Sequence, residues 1–126
     1  MMFTSNIEEV TINNTNYREV LHTTPQMQLV IMSLQPKQDI GIERHKNATQ
    51  FIKVEAGNGI AILYDKQQKN PQSVKLTQGS SVMIHANTFH NIVAGKKGLQ
   101  LYTLYSPPQH TSGLIQETKQ QHEDDE

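Results

Sequence analysis

The chain has no cysteine and no tryptophan. It therefore has neither a disulfide framework nor a thiolate zinc site, and any metal it binds must be held by nitrogen and oxygen donors. An excess of charge of either sign is also missing, since 11 basic and 12 acidic residues leave a formal net charge of -1. Without the basic footprint of a nucleic-acid binder, no nucleic-acid partner is expected. No apolar run approaches the roughly 20 residues that span a bilayer, so no membrane partner is expected either. The segment MMFTSNIEEV has neither the basic nor the apolar region of a signal peptide, which predicts a soluble, cytoplasmic protein. With 126 residues and 35% hydrophobic content, the chain supplies one core and little for a second. A single domain is expected over residues 1–118, with the acidic, glutamine-rich residues 119–126 forming a flexible tail that does not pack.

What is present reads as strand after strand. Residues 10–13 and 17–23 are short β-prone runs separated by Asn13-Asn14-Thr15-Asn16, a turn composition that predicts an edge hairpin or arm. Residues 27–34 predict a largely buried strand that ends at Pro36. In 50–55 the alternation puts Gln50, Ile52 and Val54 on one face and Phe51 on the other, where a subunit contact is expected. Gly57-Asn58-Gly59 predicts a tight hairpin with a return strand over 60–64. Residues 65–72 read as an exposed loop. Short strands follow at 73–77, 82–84 and 89–94, then a basic hairpin tip at 95–98 and a last strand over 99–105, stopped by Pro107-Pro108. About eight strands and no helix before residue 113 predict an all-β sandwich or barrel.

Two stretches carry candidate chemistry. In GIERHKNATQFIKVEAG, Glu43 and His45 are two apart and share a strand face, and Gln50 opens the next apolar run. In GSSVMIHANTFH, His90 shares a face with Ile92 and points into the core. A carboxylate, two imidazoles and a carboxamide at these spacings suit one metal ion.

The same two stretches resemble the paired motifs of the cupin superfamily. The first motif has the form G-(x)5-H-x-H-(x)3,4-E-(x)6-G, and Glu43, His45, Gln50 and Gly57 fall at its two His, its Glu and its final Gly. The second has the form G-(x)5-P-x-G-(x)2-H-(x)3-N, and Gly79 and His90 fall at its first Gly and its His. Lys37 stands in place of the opening Gly of the first, Glu43 of its first His and Gln50 of its Glu. In the second, His85 and Asn87 stand in place of Pro and Gly, and Ala94 in place of Asn. The motifs span residues 37–94, and the segment YTLYSPPQHTSGLIQETK is similar to the end of small single-domain cupins related to mannose-6-phosphate isomerase. The resemblance implies a double-stranded β-helix, or jelly roll, with a metal near the barrel mouth, and a homodimer.

One carboxylate, one carboxamide and two imidazoles form a donor set suited to Mn, Fe, Ni or Zn, with two positions left for water or a small-molecule ligand. Such a site suits a metal-dependent enzyme acting on a sugar-like or carbonyl compound, isomerase-like, or an Fe-dependent dioxygenase. A barrel that only binds a small molecule or sugar suits it as well. Glu43 also reads as a surface carboxylate paired with Arg44 or Lys46, and Gln50 as a lumen group bonded to the ligand. His22, His85 and His122 read as ordinary core or surface histidines, His110 as an exposed loop residue, and Tyr102 and Tyr105 as packing residues.

Overall fold

In the computed structural model, which describes residues 1–124, the chain begins with helix α1 (Ile7–Asn13) and strands β1 (Arg18–Thr23) and β2 (Gln28–Leu34). Strands β3 (Thr49–Leu63), β4 (Gln72–Leu76), β5 (Ser81–Ile84), β6 (His90–Ser106) and β7 (Ile115–Gln116) follow, then helix α2 (Lys119–Asp124). The strands form one antiparallel sheet in the order β4-β3-β6-β2-β1-β7, with β5 also on β3. It closes over a single apolar core as a jelly roll. None of the described helices is long and apolar enough to cross a membrane.

The long strands β3 and β6 organise this sheet by pairing along almost their whole length, from Thr49 opposite Ser106 to Leu63 opposite His90. The hairpins expected at 57–59 and 95–98 do not form; both strands run through those glycines and bend there instead. The register shifts between Val54 and Ala56 and again between Gly57 and Gly59, so the glycine-rich run makes bulges rather than a turn. Gly57 sits at φ +90°, and a Cβ there would lie 2.2 Å from the Gly98 carbonyl oxygen. Only a residue without a side chain lets the two backbones approach so closely.

The motif backbone persists where its residues do not. Lys37 and Asn87, which replace motif glycines, hold φ values of 66° and 67°, beside Gly57 at +90° and Gly79 at +91°. All four positions therefore keep a positive φ, at Gly57 within a bulge and at the other three in the connections between strands.

Both ends of the chain depart from expectation. The run at 10–13, read as a strand from Val10, Thr11 and Ile12, belongs to α1. The Asn6 side chain caps this helix by accepting the Glu9 N–H at 3.0 Å, and Glu8 and Glu9 lie in its first turn. The Gln100 side chain, reaching from β6, donates to the carbonyls of Thr11, Ile12 and Asn14 and so satisfies the other helix end. The acidic end does not hang free over Lys119–Asp124. It forms α2, with Lys119 bonded to Asp39 at 2.6 Å and His122 to the buried Arg18 at 3.0 Å. Residues 125–126 lie outside the described part.

Gly57→Ala should cost about 2–4 kcal/mol, combining a strained φ with a clash against Gly98. Chemical denaturation giving a loss below about 0.5 kcal/mol would show that the β3–β6 approach is not tight.

Candidate metal centre

Cross-strand register dictates what faces the barrel interior. Ile84, Gln50, Tyr105, Gln28 and Thr23 form one inward row, while Val54, Leu101, Met32, Arg18 and Gln116 form another. An Arg and two Gln thus stand among aliphatic neighbours, with Arg18 at 1%, Gln28 at 0% and Gln50 at 3% relative exposure. Buried polar groups of this kind must be satisfied or set aside for a ligand.

His90 is bare on one side. Its Nδ1 lies 2.9 Å from the Thr88 carbonyl oxygen, which can only accept, so Nδ1 carries the proton and Nε2 presents a lone pair. That Nε2 is buried and has no hydrogen-bond partner among the described residues. Gln50 repeats the pattern: its Nε2 donates to Thr103 Oγ1 at 3.0 Å and to Tyr105 Oη at 3.2 Å, while its buried Oε1 has no donor. His45 Nε2 is likewise buried without a hydrogen-bond partner, 3.5 Å from Glu43 Oε2. The His45 and His90 rings are 5.6 Å apart, and His45 meets the Tyr105 ring edge-on at 5.2 Å.

Two backbone features hold Glu43, His45 and His90 in place. Glu43 and His90 exchange backbone hydrogen bonds of 2.8 and 3.0 Å, which bridges the first motif to the second. The Asn87 N–H donates to the His45 carbonyl at 2.8 Å, tying the turn of the second motif to the first. Glu43 Oε1 lies 3.9 Å from Arg18 Nη2, and Arg44 stacks on the Phe89 ring at 4.6 Å. Glu43, His45, Gln50 and His90 therefore gather at one end of the barrel. Among the described residues, no three His, Asp or Glu side chains by themselves form a ready metal site; the set depends on the neutral Gln50 oxygen. The buried, unpartnered Nε2 and Oε1 atoms fit a cation, and oxygen-plus-imidazole donors fit a divalent transition metal.

His110 corrects the reading as an exposed loop residue. It is half-buried, packs edge-on against Tyr105 at 5.1 Å, and its buried Nε2 has no hydrogen-bond partner among the described residues. Gln28 turns it inward: its Oε1 accepts the N–H groups of Gln109 and His110 at 3.2 and 3.0 Å. Gln28 Nε2 donates to the His110 carbonyl at 2.7 Å and to Thr23 Oγ1 at 3.0 Å. Tyr105 also belongs to the site, and Tyr102 faces outward against Phe51 at 6.5 Å. His85 is exposed and His22 half-buried, as read from the sequence.

Burial sets the electrostatics. It lowers the His45 pKa to about 4, assisted by repulsion from His90 and Arg18, and lowers that of His90 as well. His110 falls to about 3, mainly by burial and then through Arg18 and His45. Three imidazoles are thus neutral at ordinary pH and available as donors. Burial likewise raises the Tyr17 phenol to about 12.

No protein-family model matches the sequence. It is 40% identical over 116 residues to the uncharacterized protein L612 of Acanthamoeba polyphaga mimivirus, covering 90% of this chain and 71% of that protein. It is 35% identical over 118 residues to the uncharacterized protein YrkC of Bacillus subtilis, of whose length it spans 63%. Among solved structures, BH2720 from Bacillus halodurans superposes with TM-score 0.89 at 33% identity, over 98% of this chain and 95% of that one. An RmlC-like cupin from Desulfovibrio desulfuricans superposes with TM-score 0.69 at 16% identity, over 86% of this chain and 100% of that one. At that identity the likeness is one of fold.

Gln28→Ala removes the three hydrogen bonds by which this side chain holds the 109–110 backbone, and a fourth to Thr23. It should destabilise the protein by about 2–4 kcal/mol and speed amide exchange at Gln109 and His110. Unchanged exchange at both amides would show that the loop is held from elsewhere.

Proposed function

This chain is a small cupin, in one family with L612 and BH2720, and from that premise we propose that it binds one divalent transition metal through Glu43, His45, Gln50 and His90. The observation that carries the reading is the pair of buried bare acceptors, His90 Nε2 and Gln50 Oε1, each with its other polar atom already committed. Leaving both without a partner costs about 1–3 kcal/mol each, a cost that a cation would remove. Glu43 supplies the only anionic donor of the set, and Mn, Fe, Ni or Zn suits the donor types.

We read the protein as an enzyme acting on a small sugar-like or carbonyl compound, isomerase-like in chemistry. When bound, the metal would polarise a carbonyl or hydroxyl oxygen of that compound. The lumen is not purely apolar: Thr103 and Tyr105 bring hydroxyls into it and His110 an imidazole, which favours catalysis over passive holding. Tyr105 Oη and Thr103 Oγ1 orient Gln50, and the neutral His110 ring would accept a hydrogen bond from a hydroxyl of the compound. A barrel with these groups also holds a ligand without transforming it, and Fe in the site would open oxidation by O₂. A cytoplasmic location belongs to the same reading.

We also propose a homodimer. Cross-strand partners set Met83, Phe51, Leu104 and Leu29 side by side on the outer face of the sheet, and Met83 is 62% exposed. Phe3, stacked on His22 at 4.6 Å, extends this apolar row at the β1 edge. A second copy would cover it with the same row.

Titration calorimetry with Mn²⁺, Ni²⁺ and Zn²⁺ should give one site in the wild type, none in His45→Ala or His90→Ala, and a weaker one in Gln50→Ala. Glu43→Gln should bind roughly a hundredfold more weakly, because it removes the only anionic donor. Retention of full affinity in both His variants would exclude the site. For assembly, sedimentation of the wild type should give a dimer at micromolar concentration and Phe51→Lys a monomer. A monomeric wild type would count against the apolar row as an interface.

A further inference from the structure

Arg18 is the charged group that neither motif contains. It lies on the inner face of β1, 1% exposed, opposite Met32. Its Nη1 is engaged by Gln116 Oε1 at 3.1 Å and His122 Nδ1 at 3.0 Å, both from the end of the chain. Its Nη2 is 3.9 Å from Glu43 Oε1, and its Nε has no hydrogen-bond partner among the described residues. A guanidinium remains protonated at any ordinary pH, so this is a permanent buried cation.

The surrounding charges do not balance once an ion enters. Glu43 is the carboxylate facing Arg18 and offsets its charge. Asp39 is taken by Lys119, and Glu123, at the end of the chain, also acts on the neighbouring Tyr17. An imidazole that ligates a cation does so as the neutral ring and adds no charge. A divalent cation beside Glu43 would therefore leave its own double charge uncompensated in a poorly solvated barrel, an arrangement that strongly favours an anion in the remaining coordination positions.

We propose that the compound taken up by this site is a small carboxylate, bound to the metal and selected by the fixed positive charge of Arg18. The inference rests on the metal reading above and names the substrate class for it. Arg18 acts through its field across Glu43, which stands between it and the donors, and α2 with β7 keeps the guanidinium in place through His122 and Gln116. Gln50, His90 and Tyr105 wall this interior at 3%, 1% and 1% exposure, and a planar carboxylate is the organic anion that adds least bulk to it.

The test uses the full chain loaded with Co²⁺, whose visible absorption reports its coordination shell, titrated with glycolate, ethylene glycol or inorganic phosphate. Glycolate should perturb the cobalt bands at concentrations at least about tenfold below those needed for ethylene glycol or phosphate. Arg18→Met should weaken glycolate by about tenfold with cobalt stoichiometry retained, while Arg18→Lys, which keeps the charge, should stay within about threefold of wild type. Equal affinity for glycolate and ethylene glycol, tighter binding of phosphate, or an Arg18→Met variant that binds glycolate as the wild type does would overturn the proposal. If Arg18→Met does not fold, the wild-type comparison of glycolate with ethylene glycol decides alone. A wild type that takes up no cobalt removes the metal reading and this inference together. One that takes up cobalt without preferring the anion removes only this inference.

Discussion

The antiparallel pairing of β3 with β6 is the constraint from which the rest of the molecule follows. Each strand is too long to lie in one flat layer, and the two bend together where Gly57 passes against Gly98. Because the ladder continues through the bend, with its register shifted at the bulges, Gln50 at one end of the pair and His90 at the other both reach the inner surface. The short bridge from Glu43 to His90 then adds the first motif's carboxylate and, two residues on, His45. Had the glycines made hairpins, Gln50 and His90 would belong to separately registered strands, and no shared site would be required of them.

Within this frame the barrel interior divides by chemistry. Aliphatic residues from both halves form the core, which the hydrophobic effect alone accounts for. Polar residues gather at one end, and their hydrogen bonds separate groups that are fully engaged from groups that keep a bare atom. Gln28 has both ends of its carboxamide bonded and serves to hold a loop. Gln50 has its donor engaged and its acceptor bare. Two residues of the same type in one inward row thus have opposite roles, and the difference lies wholly in their partners.

Much of this was legible in the sequence, because period-2 alternation and motif spacing are local properties. The inward parity of Gln50 and His90, the exposed loop at 65–72 and the strand stop at Pro107 all rest on neighbours within a few residues. The jelly roll followed from the two motifs. The glycine runs were misread because a positive φ serves a turn and a bulge equally, and only the partner strand decides which forms. The first helix was hidden by the β-branched Val10, Thr11 and Ile12, although Asn6 followed three residues later by Glu9 is a helix-start signal. Arg18, His110 and the α2 contacts could not be read, since each depends on residues about 80 to 100 positions away. In Arg18-Glu19-Val20-Leu21 both strand faces carry one charged and one apolar residue, so the inward face is ambiguous until β2 and β7 are in place.

A metal held by residues from three places in the chain is the central claim, and its position is more telling than its mere presence. Crystals of the protein grown with Mn²⁺ or Zn²⁺ and measured at the metal's absorption edge should show one anomalous peak per chain, bounded by His45 Nε2, His90 Nε2, Gln50 Oε1 and the Glu43 carboxylate. No peak there, or a peak only at surface residues such as His85, would contradict it.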